Sequence, residues 1–437
     1  MSKKNYSKVV LHISFILVLF YPLKGLISLF LSLLIGADVS SVIIRLSLFC
    51  LLSFLSLNIA VNKISLSTKT DKLLFFIGII GSMIGFLKGD TVFIYTTVLL
   101  FILPVLLSEM RQISDRIFYK YLKSFFIIST LYMFIEHIIL HPSVLGLSFQ
   151  PLPEDKYASY LNYLFVGALD ASALVTDYRH QGAFVRTGGY LVDLLVMPVI
   201  LSMTAMFFYV LVREKAGIFN IIFSLLSFYL LAVSLSTTAI ISFLLSLLYY
   251  EIFVKRIKLH SLLTITFISL FIGVAFISPA GTFVYNRLLV NLADQAYYNT
   301  FFDYSGLLKP VNIFYLIFGK WNWEAPDGVS SHIDLIMIPL SYGVIICFML
   351  YKKILYPVIN LRTMDIYSKL FSLSILPAFI CLYHHQMTLN INVMFLFTLL
   401  LVKNSNSSLN CSLPQNYLIK KQKSFKKQIH TLARGSI

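Results

Sequence analysis

Charge is scarce in this chain of 437 residues: 12% are Asp, Glu, Lys or Arg, and only 19 are acidic. Cysteine is scarcer still, with four in all. Cys50, Cys347 and Cys381 fall in apolar stretches and Cys411 in the tail, which indicates neither a disulfide framework nor a thiolate metal site. There is no Walker loop, no HExxH, no GxSxG, and no acidic DxD-type pair in the segments between apolar runs. These absences argue against an ATP-driven enzyme, a zinc enzyme and a metal-dependent sugar-nucleotide transferase, so no metal and no cofactor is expected. A net charge of +16 would suggest nucleic acid in a soluble protein. Here the basic residues sit in short connections and in the tail "IKKQKSFKKQIHTLARGS", which fits the positive-inside rule and not a nucleic-acid partner.

What the chain has in abundance is apolar surface: 58% hydrophobic residues, 38 of them phenylalanine, and a mean hydropathy of +0.84. Apolar runs of about 20 residues recur along it, the length needed to cross a bilayer as a helix. Because hydrocarbon leaves no solvent partner for backbone N–H and C=O groups, and no short alternating segments of a barrel are present, the spans are expected to be helical and the fold class all-α. A hydropathy window predicts about twelve spans, at 9–35, 41–62, 73–87, 91–108, 124–141, 190–212, 217–234, 239–254, 261–279, 333–351, 368–384 and 388–402. Residues 1–402 thus read as one polytopic domain and 403–437 as a basic tail. The opening "MSKKNYSK" precedes an apolar run without a small-residue cleavage site, and reads as the start of a retained first helix.

Lysines and arginines alternate between connections. Segments around 63–72, 111–123, 213–215, 255–258 and 352–362 and the tail carry them, whereas Asp38, Asp90, Glu154, Asp155, Asp170, Asp177, Asp294, Asp303, Glu324 and Asp327 lie in the others. Both termini are therefore expected in the cytoplasm, with juxtamembrane lysines favouring anionic lipid. Two long loops, 142–189 and 280–332, then face outward, and long loops are usually kept for function. No internal repeat of the transporter kind is visible. Gly78, Gly81 and Gly85 in "GIIGSMIGF" share a helix face and predict close helix packing.

The first outer loop ends in "DYRHQGAFVRTGGYLVD". Arg179 and Arg186 carry planar donor forks suited to phosphate oxygens, and Gly182, Gly188 and Gly189 let backbone N–H groups approach an anion near the start of the next helix. The pattern fits a diphosphate site at the membrane surface; the alternative is that the arginines snorkel to headgroups. Their sign on the outer side runs against the topology bias. The second loop holds Arg287 and then "YLIFGKWNWEAPDGVSSHIDL", with Trp321 and Trp323, the only tryptophans. Paired indoles suit either a glycan or interfacial anchoring. His332 and Asp334 close the loop as a candidate general base or orienting carboxylate. Glu136, His137, Asp193, Lys24 and Arg45 are further ionisable residues in or near spans.

Four segments in order, over roughly 177–350, resemble the O-antigen polymerase (Wzy) family, related to the O-antigen ligases. "RHQGAFVRTGG" is similar to an Arg-x-x-Gly segment entering a helix, with Thr187 and Gly188 where Pro-Asn often follows. "VSLSTTAIISFLLSLL" resembles the "SRs" hairpin, with Thr237 or Thr238 in the arginine's place. "NRLLVNL" and "YLIFGKW" resemble the second loop's arginine and its "fGxG" turn. "SSHIDLIMIPLSYGVI" resembles the closing "HNxxL…yGxxG" motif, with Ile333 and Asp334 after His332, a shift toward polymerase.

The resemblance implies a metal-independent glycosyltransferase of the bacterial inner membrane with a periplasmic active face. It would move a growing glycan from undecaprenyl diphosphate to the non-reducing end of a fresh lipid-linked repeat unit, in O-antigen or capsule synthesis. It implies a chain-length regulator as a protein partner, and assigns Arg179, Arg186 and Arg287 to the lipid diphosphates. Two other readings are an O-antigen ligase, which would share fold, loops and donor but use lipid A core as acceptor, and a lipid-linked oligosaccharide flippase or other transporter, which predicts charges lining the bundle interior rather than two long outer loops.

Overall fold

The computed structural model describes residues 3–35, 40–62, 69–140, 180–181, 184–185, 196–234, 236–255, 313–323, 334–382 and 390–411. Apart from one short pairing of β1 (His180–Gln181) with β2 (Phe184–Val185), the regular structure among them is helical. In chain order the helices are α1 (Lys3–Phe20), α2 (Lys24–Ile35), α3 (Ser40–Val61), α4 (Lys69–Lys88), α5 (Thr91–Thr97), α6 (Leu103–Leu106) and α7 (Asp115–Leu140). They continue as α8 (Val196–Glu214), α9 (Ile218–Val233), α10 (Thr237–Tyr249), α11 (Ile313–Phe318), α12 (Asp334–Tyr342), α13 (Val344–Ile359), α14 (Ile366–Cys381) and α15 (Ile391–Cys411). Among the described residues, three stretches are long and apolar enough to cross a membrane, Asn5–Ile27, Lys69–Lys88 and Met197–Glu214, and several shorter apolar helices accompany them. The expected span 261–279 lies outside the described residues.

Helix α8 is the central post. Every side chain from 197 to 211 is buried, as expected of a helix apolar all round. It packs against α9, α10 and α14. On α4, Gly78, Gly81 and Gly85 form the closely packed face that their spacing predicts. A β-carbon on them would come 2.9 Å from the Phe101 Cβ, 2.9 Å from the Thr97 Cγ2 and 2.8 Å from the Ile94 Cγ1. α5 runs through a π turn at Val98–Ile102 into α6, with Pro104 near the start of α6.

Hydropathy joins helices that the backbone separates. The expected span 9–35 is broken by a 3-10 turn at Tyr21–Leu23, where Pro22 supplies no N–H. The expected span 333–351 is two helices, not one: Gly343 stands at φ 87° between α12 and α13, and α13 continues to Ile359. A window that averages apolar character cannot register one residue's change of φ.

Charged groups gather at the N-terminal end of α4. Asp71 accepts from Lys353 Nζ at 2.6 Å and from Arg111 Nη2 at 3.5 Å. Lys403 pairs with Asp115 at 2.7 Å and donates to the carbonyls of Arg111 and Ile113. The contacts tie α4, α7, α13, α15 and the 3-10 turn Ser108–Gln112 together. A second knot joins α8 to the π turn Tyr250–Val254: Arg213 meets Glu251 with Nε at 2.8 Å and Nη2 at 3.0 Å, and the Tyr209 hydroxyl donates to the same carboxylate at 2.7 Å.

Removing one partner of a buried ion pair leaves the other charge enclosed and uncompensated, at a cost of about 3–5 kcal/mol. Asp71→Asn is expected to lower the thermal unfolding midpoint of the detergent-solubilised protein clearly. Asp115→Asn, which leaves the enclosed Lys403 ammonium with only the Arg111 and Ile113 carbonyls, is expected to lower it as well.

Candidate functional site

At the opposite end of α4, about 28 Å away by helix rise, two chain segments cross backbone on backbone. Gly319, just after α11, has φ 81° and Gly343 has φ 87°, both in the region that favours glycine. A β-carbon on Gly319 would lie 2.5 Å from the Ser341 carbonyl oxygen, and one on Gly343 would lie 2.3 Å from the Ile317 carbonyl oxygen. Neither contact is physical, so each glycine is required by the other's backbone. The crossing is stitched by the Lys320 N–H to the Leu340 carbonyl at 2.8 Å and the Trp321 N–H to the Ser341 carbonyl at 2.9 Å. These are the segments "YLIFGKW" and "SYGVI".

The connection between α4 and α5 grips the same turn. Asp90 caps α5 by accepting from the Phe93 N–H at 2.9 Å through Oδ1, and accepts from the Trp323 N–H at 2.7 Å through Oδ2. Lys88 Nζ donates to the carbonyls of Lys320 at 3.0 Å and Trp321 at 3.1 Å. Beneath lies an aromatic cluster: Tyr342 stacks on Phe93 with centroids 5.1 Å apart and meets Phe101 edge-on at 4.9 Å. The Tyr342 hydroxyl sits between Thr96 Oγ1 at 3.1 Å and Thr97 Oγ1 at 2.8 Å.

Trp321 and Trp323 are thus both built into the turn. Trp321, at φ 56°, packs edge-on against Phe93 and Tyr342 and lies beside Gly81. Trp323 is partly buried against the core, and its indole nitrogen is enclosed with no hydrogen-bond partner among the described residues. Asp334 opens α12 and is fully buried. Arg179, Arg186, Arg287 and His332 lie outside the described residues, as does Asp193. Arg179 directly precedes β1 and Arg186 directly follows β2 in the chain. The two strands pair antiparallel, His180 with Val185 and Gln181 with Phe184.

Of the other ionisable residues singled out in the sequence, Glu136 and His137 are both buried in α7, and His137 Nε2 lies 2.7 Å from the Tyr229 hydroxyl. Arg45 is exposed on α3. Ser236 caps α10 through the Ala239 N–H at 3.5 Å, and Thr238 is buried in its first turn. Sequence reading missed the part played by Lys88 and Asp90, whose partners are more than 200 positions away. The signal available was an acid and a base flanking Gly89, which has φ 69°, between two apolar helices.

The two tryptophans report on this turn directly. Gly343→Ala, which cannot be accommodated without moving the Ile317–Gly319 backbone, is expected to red-shift tryptophan emission and lower the unfolding midpoint. Gly217→Ala, whose β-carbon would meet only the Asn220 Nδ2 at an ordinary 3.7 Å, should leave emission in place.

No family model matches the chain, and no curated protein or solved structure matches it.

Proposed function

We propose that the chain is a membrane glycan polymerase. It transfers a growing oligosaccharide from undecaprenyl diphosphate to the non-reducing end of a new undecaprenyl-diphosphate-linked repeat unit. In this reading it has about twelve spans, cytoplasmic termini and an active face on the outer side of a bacterial plasma membrane. The orientation is supported by the company that charged residues keep. Asp71, Arg111, Asp115, Lys353 and Lys403 come from segments that charge alternation assigns to the inside, and they meet one another. Lys88, Asp90 and residues 320–323 come from segments assigned to the outside, and they too meet.

The observation that carries the reading is the β1–β2 pairing. Arg179 and Arg186 are bonded to residues that pair across it, His180 and Val185. The sequence thus places an arginine on either side of one hairpin, and two guanidinium forks suit the oxygens of a diphosphate. The Gly319–Gly343 crossing adds to this by joining two of the segments on which the family resemblance rests.

The chemistry follows from the donor. Its leaving group is a lipid diphosphate, so no nucleotide is consumed. The acceptor hydroxyl attacks the anomeric carbon, the bond from that carbon to the diphosphate oxygen breaks, and the hydroxyl proton passes to a base. Arg179, Arg186 and Arg287 stabilise charge growing on the diphosphate, each contributing on the order of 2–4 kcal/mol in a partly dehydrated site. His332 takes the proton, and Asp334, enclosed at the start of α12, suits an orienting role two residues away. The partly exposed Trp323 offers a face for sugar. Holding two membrane-bound substrates side by side supplies much of the remaining rate.

Arg179→Ala, Arg186→Ala and Arg287→Ala are each expected to cut polymer yield at least tenfold, on the scale of 1.4 kcal/mol per decade. Surface glycan resolved by gel from a complemented deletion strain should collapse to a single-repeat band. Wild-type chain length from all three correctly inserted variants would refute the assignment. Loss of all surface glycan with long lipid-linked chains accumulating would indicate a ligase instead.

A further inference from the structure

Lys24 stands where a cation is poorly placed. It begins α2 just after the Pro22 turn, and that turn directs it at the start of α15. Its ammonium donates to the Asn392 side-chain oxygen at 2.6 Å and lies 4.0 Å from the centre of the Tyr21 ring. Both partners are neutral. At the far end of the bundle Lys353 and Lys403 meet Asp71 and Asp115 at 2.6 and 2.7 Å, whereas no carboxylate among the described residues lies within salt-bridge distance of Lys24. The described groups around it add no negative charge. The first turn of α15 presents the positive end of a 21-residue helix, and Asn390 caps the Asn392 and Val393 N–H groups at 3.1 and 3.3 Å. Tyr95 bonds the Ile391 backbone and stands within electrostatic reach of Tyr21.

An ammonium withdrawn from water beside a helix N-terminus, with no counter-ion among the described residues, is electrostatically costly. The groups around it are hydrogen-bonding oxygens and a hydroxyl-bearing ring, which is the lining of a polar ligand site and not of an ion pair. We infer that Lys24, Asn392 and Tyr21 form a phosphate-binding subsite, filled by a phosphate of a lipid headgroup. The ammonium supplies the charge-assisted hydrogen bond, and the Asn392 amide nitrogen offers a second donor. The inference goes beyond the polymerase reading and does not depend on it, because any phosphate-bearing lipid at the outer end of these helices would satisfy the chemistry.

The test uses the full-length protein in nanodiscs of a neutral, phosphate-free glycolipid. Thermal unfolding is measured with no addition, with phosphatidylglycerol or a polyisoprenyl phosphate mixed into the disc, and with inorganic pyrophosphate in solution. Wild type should gain stability with at least one of these, and Lys24→Arg should keep the gain. Lys24→Met should be at least as stable as wild type without anion and should weaken the response on the order of tenfold, the size of one charge-assisted hydrogen bond. Asn392→Asp places a carboxylate where the neutral oxygen now lies, so it should stabilise the protein without anion and abolish the response. A gain with phosphatidylglycerol alone names bulk headgroup as the source, with the polyisoprenyl phosphate alone a carrier lipid, and with pyrophosphate alone a free anion. Absence of any gain in wild type would overturn the inference, as would a full response retained by Asn392→Asp. Either result would leave the arginine assignments standing, since those are read from glycan chain length.

Discussion

Two glycines with positive φ, pressed together without side chains, hold the turn after α11 to the junction of α12 and α13. Gly319 and Gly343 each sit where a β-carbon would meet the other's backbone, and the hydrogen bonds at Lys320 and Trp321 follow from that approach. Within an apolar bundle, a segment with irregular backbone must find internal partners for its N–H and C=O groups. The crossing provides them for the turn after α11. It also fixes α12 and so the position of Asp334. Lys88 and Asp90 add side-chain contacts to the same turn, and Tyr342 anchors it below through Thr96 and Thr97.

The two ends of the bundle solve opposite problems. Near Asp71 the chain neutralises charge internally, with lysines and an arginine facing carboxylates. Near Lys24 it leaves positive charge facing neutral oxygen. On the proposed orientation the charges of the inner end are paired with one another, while Lys24, at the other end, meets a neutral side chain.

Much of the helical framework was legible because burial and membrane insertion both read apolar runs. α4, α9 and α14 match their expected spans to within a few residues, and the Gly78, Gly81 and Gly85 face packs as its spacing implies. What hydropathy could not show were single-residue events inside apolar runs, namely the Pro22 turn and the Gly343 break. Long-range pairing was equally hidden. Asp90 looks like any loop acid until Trp323 is beside it, and Lys24 like any snorkelling lysine until Asn392 is. Trp321 was read as a sugar platform or an interfacial anchor, since sequence does not reveal that its φ turns it toward Phe93 and Tyr342.

The central claim is bond formation between lipid-linked units at the expense of a lipid diphosphate. The most direct measurement is reconstitution of the purified chain in proteoliposomes with a defined undecaprenyl-diphosphate-linked repeat unit, in the presence of a chelator and without nucleotide. The account predicts elongated lipid-linked glycan, with one undecaprenyl diphosphate released for every linkage made. Repeat units that cross the bilayer unlinked, or elongation that appears only with added nucleotide or metal, would contradict it.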